Sequence, residues 1–370
     1  MRKIFEKFVS VFLIILFVLG GLGLSLGLFV SVCLLYVLCL LIIIRPKLKD
    51  FRFPPTYGLY SLFLLFFFIN FLWSENEGQS LIYFFLFLYG FFFWGLAYNL
   101  KDKLVNFKKL VITLGIVFGV ITLIYLAFDN TLNINAFSLV HFAVAPLHHH
   151  HIGDFWVIVL IVIGSEYTKR KNMKWLIFLL FGFYFLFLSL SRSAYLALAL
   201  GSLYFIAKSG KARSISIFKI YIVIAVVLFL YSSFQKSTLF AHIGYIGQSL
   251  IGFINNPFGV GVGNFEKIST DPRNVFLGLG SGSTSTHNII LEIMTGMGIL
   301  GISFIVWLFK ILKSIIKSEV DESLLYRTVF ITLTVNFLFD YTYLIPTMLW
   351  IWFVSLGLVQ NKPTSLLKRI

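Results

Sequence analysis

An arginine between two apolar runs is the first candidate for chemistry. Arg192 lies in 189–195 (SLSRSAY), with almost no loop on either side. Burying an arginine at a membrane boundary is costly unless it is paired, so such a residue is a functional candidate by default. A guanidinium binds phosphate oxygens through two parallel hydrogen bonds, which predicts a clamp for an anionic phosphate group. The alternative is a snorkelling side chain at a turn.

A histidine at the end of a long polar segment is the second candidate. His287 lies in 283–290 (STSTHNII), directly before an apolar run. Because the pKa of histidine lies near working pH, the imidazole is suited to act as a general base towards a hydroxyl group. Thr286 is expected to cap the following helix, whose N-terminus adds positive potential. The alternative is an interfacial histidine that only forms hydrogen bonds.

Two further charged residues are compatible with two interpretations each. Arg273 lies in 271–274 (DPRN), where it either helps to hold a diphosphate or pairs with Asp271 or Glu266 on the surface. Asp340 lies in the turn 339–343 (FDYTY). It either pairs with an arginine outside the membrane or is solvated there.

A run of four histidines, His148–His151, resembles a metal site at first sight. Neighbouring side chains in a run cannot all face one ion, and no matching cysteine or carboxylate spacing accompanies them. Asp154 is the nearest acid. The alternatives are a lining for an external entrance, in which one histidine such as His149 contacts substrate, or an interfacial turn. We therefore predict no metal site.

Composition defines the class of protein that must position these residues. Of 370 residues, 59% are apolar, 12% are charged and 44 are phenylalanine. A soluble protein could not bury so much apolar surface, and disorder requires low hydrophobicity. Apolar runs of about 17–22 residues indicate an all-α, polytopic integral membrane protein, whereas a barrel would show short alternating segments.

Hydropathy predicts about twelve transmembrane helices in a single transmembrane domain, 1–370. One large external loop, 233–286, interrupts them, and its middle, 255–265 (NNPFGVGVGNF), is expected to have a tight, irregular backbone. The apolar N-terminal run lacks a small-residue cleavage site and is interpreted as an uncleaved first span. The predicted spans are 8–23, 25–44, 57–73, 79–98, 110–128, 152–166, 174–190, 193–208, 215–232, 287–309, 324–339 and 344–359.

The basic residues predict the orientation. The 30 lysines and arginines exceed the 15 acids and give a net charge of +15. Their clustering between alternate spans follows the positive-inside rule, so nucleic acid is not an expected partner. All but four fall on the cytoplasmic side with both termini, which places the protein in the plasma (inner) membrane. The four external ones are Arg192, Lys236, Lys267 and Arg273.

Motifs for cofactors and energy coupling are absent from the sequence. It contains no phosphate-binding P-loop, dinucleotide fingerprint or zinc signature. The cytoplasmic loops are too short for a nucleotide-binding domain, so an ATP-driven pump would need a partner subunit. The two cysteines, Cys33 and Cys39, are interpreted as lipid- or core-facing thiols. No cofactor is expected.

Three segments occur together in a characteristic order. They are the turn Ser191-Arg192-Ser193, the glycine-rich 256–265 (NPFGVGVGNF), and 286–292 (THNIILE) followed by 295–301 (TGMGILG). In this order, on a scaffold with many spans and one large external loop, the chain resembles the O-antigen ligase / O-antigen polymerase superfamily. The resemblance covers roughly 174–310, and the rest agrees in hydropathy only.

The resemblance implies a GT-C-type membrane glycosyltransferase that needs no metal. Such enzymes take a glycan from undecaprenyl diphosphate on the outer face of the membrane and transfer it to a hydroxyl of a glycan, lipid or protein acceptor. It implies that Arg192 binds the diphosphate and His287 activates the acceptor. The candidate substrate-binding residues are Arg192, Arg273, Asn288, Ser191 and His149.

Several functions remain compatible with these motifs. A surface polysaccharide polymerase, an O-antigen ligase and a protein O-glycosylating transferase share all three segments, with the polymerase slightly favoured. A transporter or flippase of lipid-linked oligosaccharide or of a small anion is the alternative from another class. Transporters usually show paired interrupted helices in matching halves, and the sequence has no clear pair. A purely structural membrane protein would leave Arg192 unexplained.

Overall fold

The computed structural model describes residues 14–18, 52–100, 106–128, 149–209, 212–235, 239–276, 282–318 and 323–360. Regular structure in these ranges is helical, as the composition predicts. Most of the first two predicted spans lies outside them, together with Cys33, Cys39 and His148. The helices are α1 (Tyr57–Asn70), α2 (Glu77–Leu100), α3 (Phe107–Phe128), α4 (His149–Arg170), α5 (Met173–Ser189), α6 (Arg192–Ser209), α7 (Ala212–Gln235), α8 (Leu239–Asn255), α9 (Phe265–Thr270), α10 (Ile289–Met297), α11 (Ile302–Lys317), α12 (Leu324–Phe339) and α13 (Pro346–Gln360).

Hydropathy located α1–α7, α12 and α13, whereas α8 and α9 lie in the segment that was predicted as a loop. Within the described residues, five helical segments are long and apolar enough to cross a membrane, and four apolar helices are shorter. This supports a multi-pass membrane protein, whereas the total of twelve spans stays a prediction. The expected span at 287–309 overlaps one of the five, Ile289–Lys317, but it is not a continuous α-helix, because a 3-10 turn at Gly298–Gly301 separates α10 from α11.

The glycine-rich segment docks against this helix break. Gly259, Gly261 and Gly263 all have positive φ angles, which only glycine adopts readily. The amide of Gly261 donates to the carbonyl of Gly296 over 2.8 Å, and the amide of Ile299 donates to that of Pro257 over 2.8 Å. The backbone of the expected irregular loop therefore satisfies groups that the interrupted helix leaves open.

The predicted external loop also contains a long helix. Residues 239–255 form α8, which packs against α9 and α10. Gln248 on α8 is buried and donates to the carbonyl of Ser269 over 3.0 Å. This packing places the face of α8 that carries His242 beside the start of α10.

Small residues let the central helices approach closely. In α6, Gly201 lies against Thr332 of α12, so a β-carbon at position 201 would collide with that side chain. In α4, Gly153 lies in the same way against Ser189 at the end of α5. Close approach through small residues is typical of membrane helix packing. Here it brings α4, α6 and α12 together at one end of the bundle.

The two ends of the bundle have different chemistry. At one end, Lys108 and Arg170 both form ion pairs with Glu166. Arg327 at this end is buried and donates to the carbonyl of Ser318 over 3.3 Å. The opposite end holds the start of α6, the start of α10 and the end of α12, and it contains the candidate site.

Candidate functional site

Arg192 begins α6 after a turn of two residues. α5 ends at Ser189, Leu190 adopts a left-handed conformation with φ 47°, and α6 follows at once. The Ser189 hydroxyl accepts the amide of Ser191 over 3.3 Å, and the Ser191 hydroxyl accepts the amide of Ala194 over 3.2 Å. These serine bonds satisfy backbone groups at the turn, and Arg192 itself is partly buried.

His287 lies in a turn that precedes α10. Its φ is 54°, a left-handed conformation that is uncommon for a histidine. Asn288 caps α10 by accepting the amides of Ile290 and Leu291 over 2.9 and 3.1 Å. The expectation that Thr286 caps the helix is therefore wrong, because the Asn288 side chain directly precedes the first helical residue. Asn288 also donates to the carbonyl of Leu338, over 2.9 Å, and so fixes the turn to α12.

The imidazole of His287 is surrounded by aromatic rings. It stacks on Tyr245 with ring centroids 5.3 Å apart and meets the edge of Tyr341 at 4.6 Å. The ring of His242 lies 5.1 Å away. Burial lowers the pKa of His287 to about 4, which Asp340 opposes and the nearby histidines reinforce. His287 is therefore neutral at neutral pH and free to accept a proton.

Asp340 connects the histidine to the arginine turn. One of its carboxylate oxygens lies 3.9 Å from Nδ1 of His287 and accepts the amide of Tyr341 over 2.6 Å. Its other oxygen accepts the hydroxyl of Ser193, next to Arg192, over 3.0 Å. Of the two interpretations that the sequence left open, full solvation is wrong, because Asp340 is 8% exposed.

A second carboxylate, Asp154, fastens the arginine turn to two other helices. It lies in α4, and its Oδ1 accepts the hydroxyls of Ser191 and Ser193 over 2.9 and 3.0 Å. The same oxygen accepts Nδ2 of Asn336 in α12 over 2.7 Å. The sequence analysis treated Asp154 only as an acid near the histidine run. Its position inside an apolar span was the sequence feature that could have singled it out.

His242 lies within range of both Arg192 and His287. Burial lowers the pKa of His242, Asp340 raises it, and the charge of Arg192 lowers it further. Both charged groups therefore lie within electrostatic range of the ring that contacts His287. No motif pointed to His242, because it lies on a helix whose packing is not readable from local sequence.

Glu292 supports the His287 turn through hydrogen bonds. It is buried in α10 and accepts the amide of Thr286 over 3.0 Å and that of Gly263 over 3.2 Å. The hydroxyl of Tyr343 also donates to it, over 3.3 Å. One carboxylate therefore joins the glycine-rich segment to the segment that carries His287, two of the three motifs identified in the sequence.

One of the predicted substrate-binding residues, Arg273, is not joined to this site. Arg273 has a side chain that is 83% exposed, and it pairs with Asp271 over 2.6 Å. This was one of its two interpretations, and the pair lowers the pKa of Asp271 to about 2. His149 begins α4, but its side chain lies outside the described residues. Within the histidine run, His151 is buried and its ring lies 4.8 Å from that of Tyr341.

A small apolar cavity of about 20 Å³, roughly the space of one water molecule, adjoins the site beside His151. Phe118, Trp156 and Met348 are among the side chains that line it. Elsewhere, as far as the described ranges extend, no three histidine, cysteine or acidic side chains are grouped to hold a metal ion. The site thus combines a cation, a neutral imidazole, buried carboxylates and an adjoining apolar space.

In the described ranges the chain is a helical, multi-pass membrane protein, and a candidate site with an arginine, a histidine and an aspartate lies at one end of its bundle. Residues 177–306 match the family model described as O-antigen ligase. The match confirms the resemblance seen in the three motifs and supports a membrane enzyme of the O-antigen ligase or polymerase type. The comparisons with curated proteins and with solved structures gave no match.

Proposed function

We propose that the protein is a membrane glycosyltransferase that takes a glycan from undecaprenyl diphosphate and transfers it to an acceptor hydroxyl. The observation that carries the proposal is the position of Asp340, which contacts both Ser193 at the arginine turn and His287. A phosphate-binding cation and a general base thus lie on two sides of one carboxylate. Glycosyl transfer from a diphosphate needs these two groups.

In this mechanism His287 removes the proton of the acceptor hydroxyl. The hydroxyl oxygen forms a bond to the anomeric carbon, and the bond from that carbon to the diphosphate oxygen breaks. The electron pair of that bond goes to the diphosphate, where Arg192 stabilises the developing negative charge. Because His287 is neutral at rest, its imidazole can accept the proton, and the carboxylate of Asp340 then stabilises the imidazolium.

The lipid part of the donor would lie along the apolar helix faces beside His151. Phe118, Trp156 and Met348 line a small apolar cavity there, and the ring of His151 lies 4.8 Å from that of Tyr341. The proposed orientation, with both termini in the cytoplasm, places this end of the bundle on the outer face of the plasma membrane. A lipid-linked donor is suitable there, because nucleotide sugars are cytoplasmic substrates.

A purified sample tests this function directly. Protein in lipid nanodiscs is supplied with an undecaprenyl-diphosphate oligosaccharide, with and without EDTA, and products are analysed by gel and mass spectrometry. The expected result is new glycosidic product that survives EDTA. Laddered glycan on the carrier identifies a polymerase, whereas single transfer to an added lipid or peptide identifies a ligase or a protein transferase.

Matched variants separate the site from general charge effects. Arg192→Ala and His287→Ala should abolish product while the protein remains folded in the membrane. Lys267→Ala is the control, because Lys267 is also a cation on the predicted external side but pairs with Glu75 away from the site. Wild-type product from both site variants would overturn the proposal. Movement of the oligosaccharide across liposomes without new glycosidic bonds would favour the transporter.

A further inference from the structure

Two serine hydroxyls bridge two buried carboxylates beside the arginine turn. Ser191 lies 2.9 Å and Ser193 lies 3.0 Å from Oδ1 of Asp154. Ser193 also lies 3.0 Å from Oδ2 of Asp340. The two hydroxyl oxygens lie 2.8 Å from each other. Four close oxygen–oxygen contacts therefore connect the four side chains.

Counting hydrogens shows that these contacts need more than the serines supply. Each serine hydroxyl has one hydrogen. If both carboxylates were ionised, only two of the four contacts could contain a hydrogen. Ser193 in particular would donate to one carboxylate and present its lone pairs to the other at 3.0 Å. One additional proton on a carboxylate removes this unfavourable contact.

The burial of the two carboxyl groups also favours an additional proton on the pair. Asp154 is 1% exposed and Asp340 is 8% exposed. While Oδ1 of Asp154 accepts three hydrogen bonds, its Oδ2 is buried and has no hydrogen-bond partner among the described residues. Two charges that are close together, poorly hydrated and of the same sign favour binding of a shared proton.

We propose that Asp154 and Asp340 share one proton through Ser193, so that the pair carries a single negative charge. At rest the proton lies on Asp154 and is donated to the oxygen of Ser193, whose own hydrogen is donated to Asp340. Every contact between Ser193 and a carboxylate then contains a hydrogen. In this state the single negative charge lies on Asp340, 3.9 Å from Nδ1 of His287.

The shared proton gives the pair a role in catalysis that rests on the proposed function. Because Asp154 holds the shared proton, the single negative charge of the pair stays on Asp340. That charge stabilises the imidazolium once His287 has taken the proton of the acceptor hydroxyl. Asp154 is thus a positioning residue that acts through Ser193.

Other titratable groups lie near the two carboxyl groups, and the measurement must distinguish their signals from those of the pair. Tyr195 and Tyr341 lie within electrostatic range of Asp154, and Tyr341, His242 and His287 lie within range of Asp340. None of these groups is a carboxylic acid. Infrared spectroscopy is therefore the suitable measurement, because the carbonyl stretch of a protonated carboxyl group is distinct from theirs.

The experiment compares the full-length protein in nanodiscs with Asp154→Asn and Asp340→Asn at neutral pH. The wild type should show a protonated-carboxyl band that shifts in deuterium oxide. Both single variants should lose this one band, since the proton is shared. Glu292→Gln is the control and should keep it, because Glu292 lies in a separate hydrogen-bond network.

Three results would overturn the proposal. In the first, neither variant loses a protonated-carboxyl band. In the second, each variant loses a different band. In the third, only one of the two variants loses a band. Labelling wild-type aspartate with heavy carbon gives the same test without a substitution and covers a variant that fails to fold. Ser193→Ala should keep the proton but shift the band. The readout needs no glycosyl transfer, so its failure is distinct from failure of the proposed function.

Discussion

Nδ1 of His287 lies 3.9 Å from a carboxylate oxygen of Asp340. At this distance the carboxylate is close enough to stabilise an imidazolium but does not form a full hydrogen bond to the resting ring. The pair therefore favours proton uptake during the reaction more than protonation before it. Asp340 is held in place from the other side by Ser193, so its position is tied to that of Arg192.

The first prediction concerns the Asp340→Asn variant. The amide keeps the shape of the side chain but cannot stabilise the imidazolium, so kcat should fall roughly a hundredfold. The KM for the lipid-linked donor should change little, because Arg192 is intact. The control is Asp271→Asn, which should leave kcat unchanged because Asp271 pairs with the exposed Arg273 away from this site. An unchanged kcat in the Asp340→Asn variant would contradict this assignment.

The second prediction concerns pH. An ordinary histidine titrates near pH 6.5, at about the value in model peptides, but burial lowers the pKa of His287 to about 4. Its imidazole is therefore the neutral, proton-accepting form down to mildly acidic pH. Activity should persist through pH values near 5.5 and fall as the pH approaches about 4. Initial rates with saturating donor in overlapping buffers measure this.

The direction of the effect can be checked with a variant. Asp340 raises the pKa of His287, so removing its charge in Asp340→Asn should move the acidic limb of the remaining activity to still lower pH.

The free energy of unfolding should change with pH in the same direction as the activity. Between the folded and unfolded pKa values of His287 the unfolded chain binds more protons, so stability should decrease as the pH falls through this window. An acidic limb near pH 6.5, about the ordinary histidine value, would be inconsistent with the buried ring.

The third prediction separates charge from geometry at Arg192. Arg192→Lys keeps the positive charge but loses the planar fork that binds two phosphate oxygens. We expect the KM for the donor to rise about tenfold, which corresponds to loss of one charge-assisted hydrogen bond. Arg192→Ala should lose detectable transfer. Equal activity of the lysine variant and the wild type would show that Arg192 does not bind a diphosphate in bidentate fashion.

Hydropathy and positive-inside counting predicted the helices because both depend on local composition. The bounds of α12 agree with the predicted 324–339, and Arg192 lies at a span boundary as expected. The partners of the two serines beside Arg192 were harder to predict. Asp154 and Asn336 form one hydrogen bond across 182 positions of sequence, so their contact depends on which helices pack together.

The remaining errors have equally specific causes. Thr286 was expected to cap α10, but Asn288 does so because its short amide side chain reaches the first free amides of the helix. The break between α10 and α11 was not expected, because the residues on both sides are apolar. Gly298 was the local sequence feature that indicated the break, and in the structure this residue contacts the glycine-rich segment.

The fourth prediction concerns the support of the His287 turn. Glu292→Gln replaces an acceptor-only group, which receives three donors, with an amide that presents its own N–H to one of them. The variant should be destabilised by about 1–3 kcal/mol. Thermal unfolding of purified protein measures this, with Glu266→Gln as the control, because Glu266 is exposed. Equal melting temperatures would show that the carboxylate does not hold the turn.

The fifth prediction concerns the helix break. Gly298 has φ 59°, and a β-carbon there would collide with the backbone of Pro257 and of Gly259. Gly298→Ala should therefore destabilise the protein by at least about 2 kcal/mol, the cost of a left-handed residue plus the collision. Gly58→Ala is the matched control, because position 58 is helical with open space around it and should gain up to about 1 kcal/mol. If the two alanine variants unfold at the same temperature, the glycine-rich segment is not seated on the break.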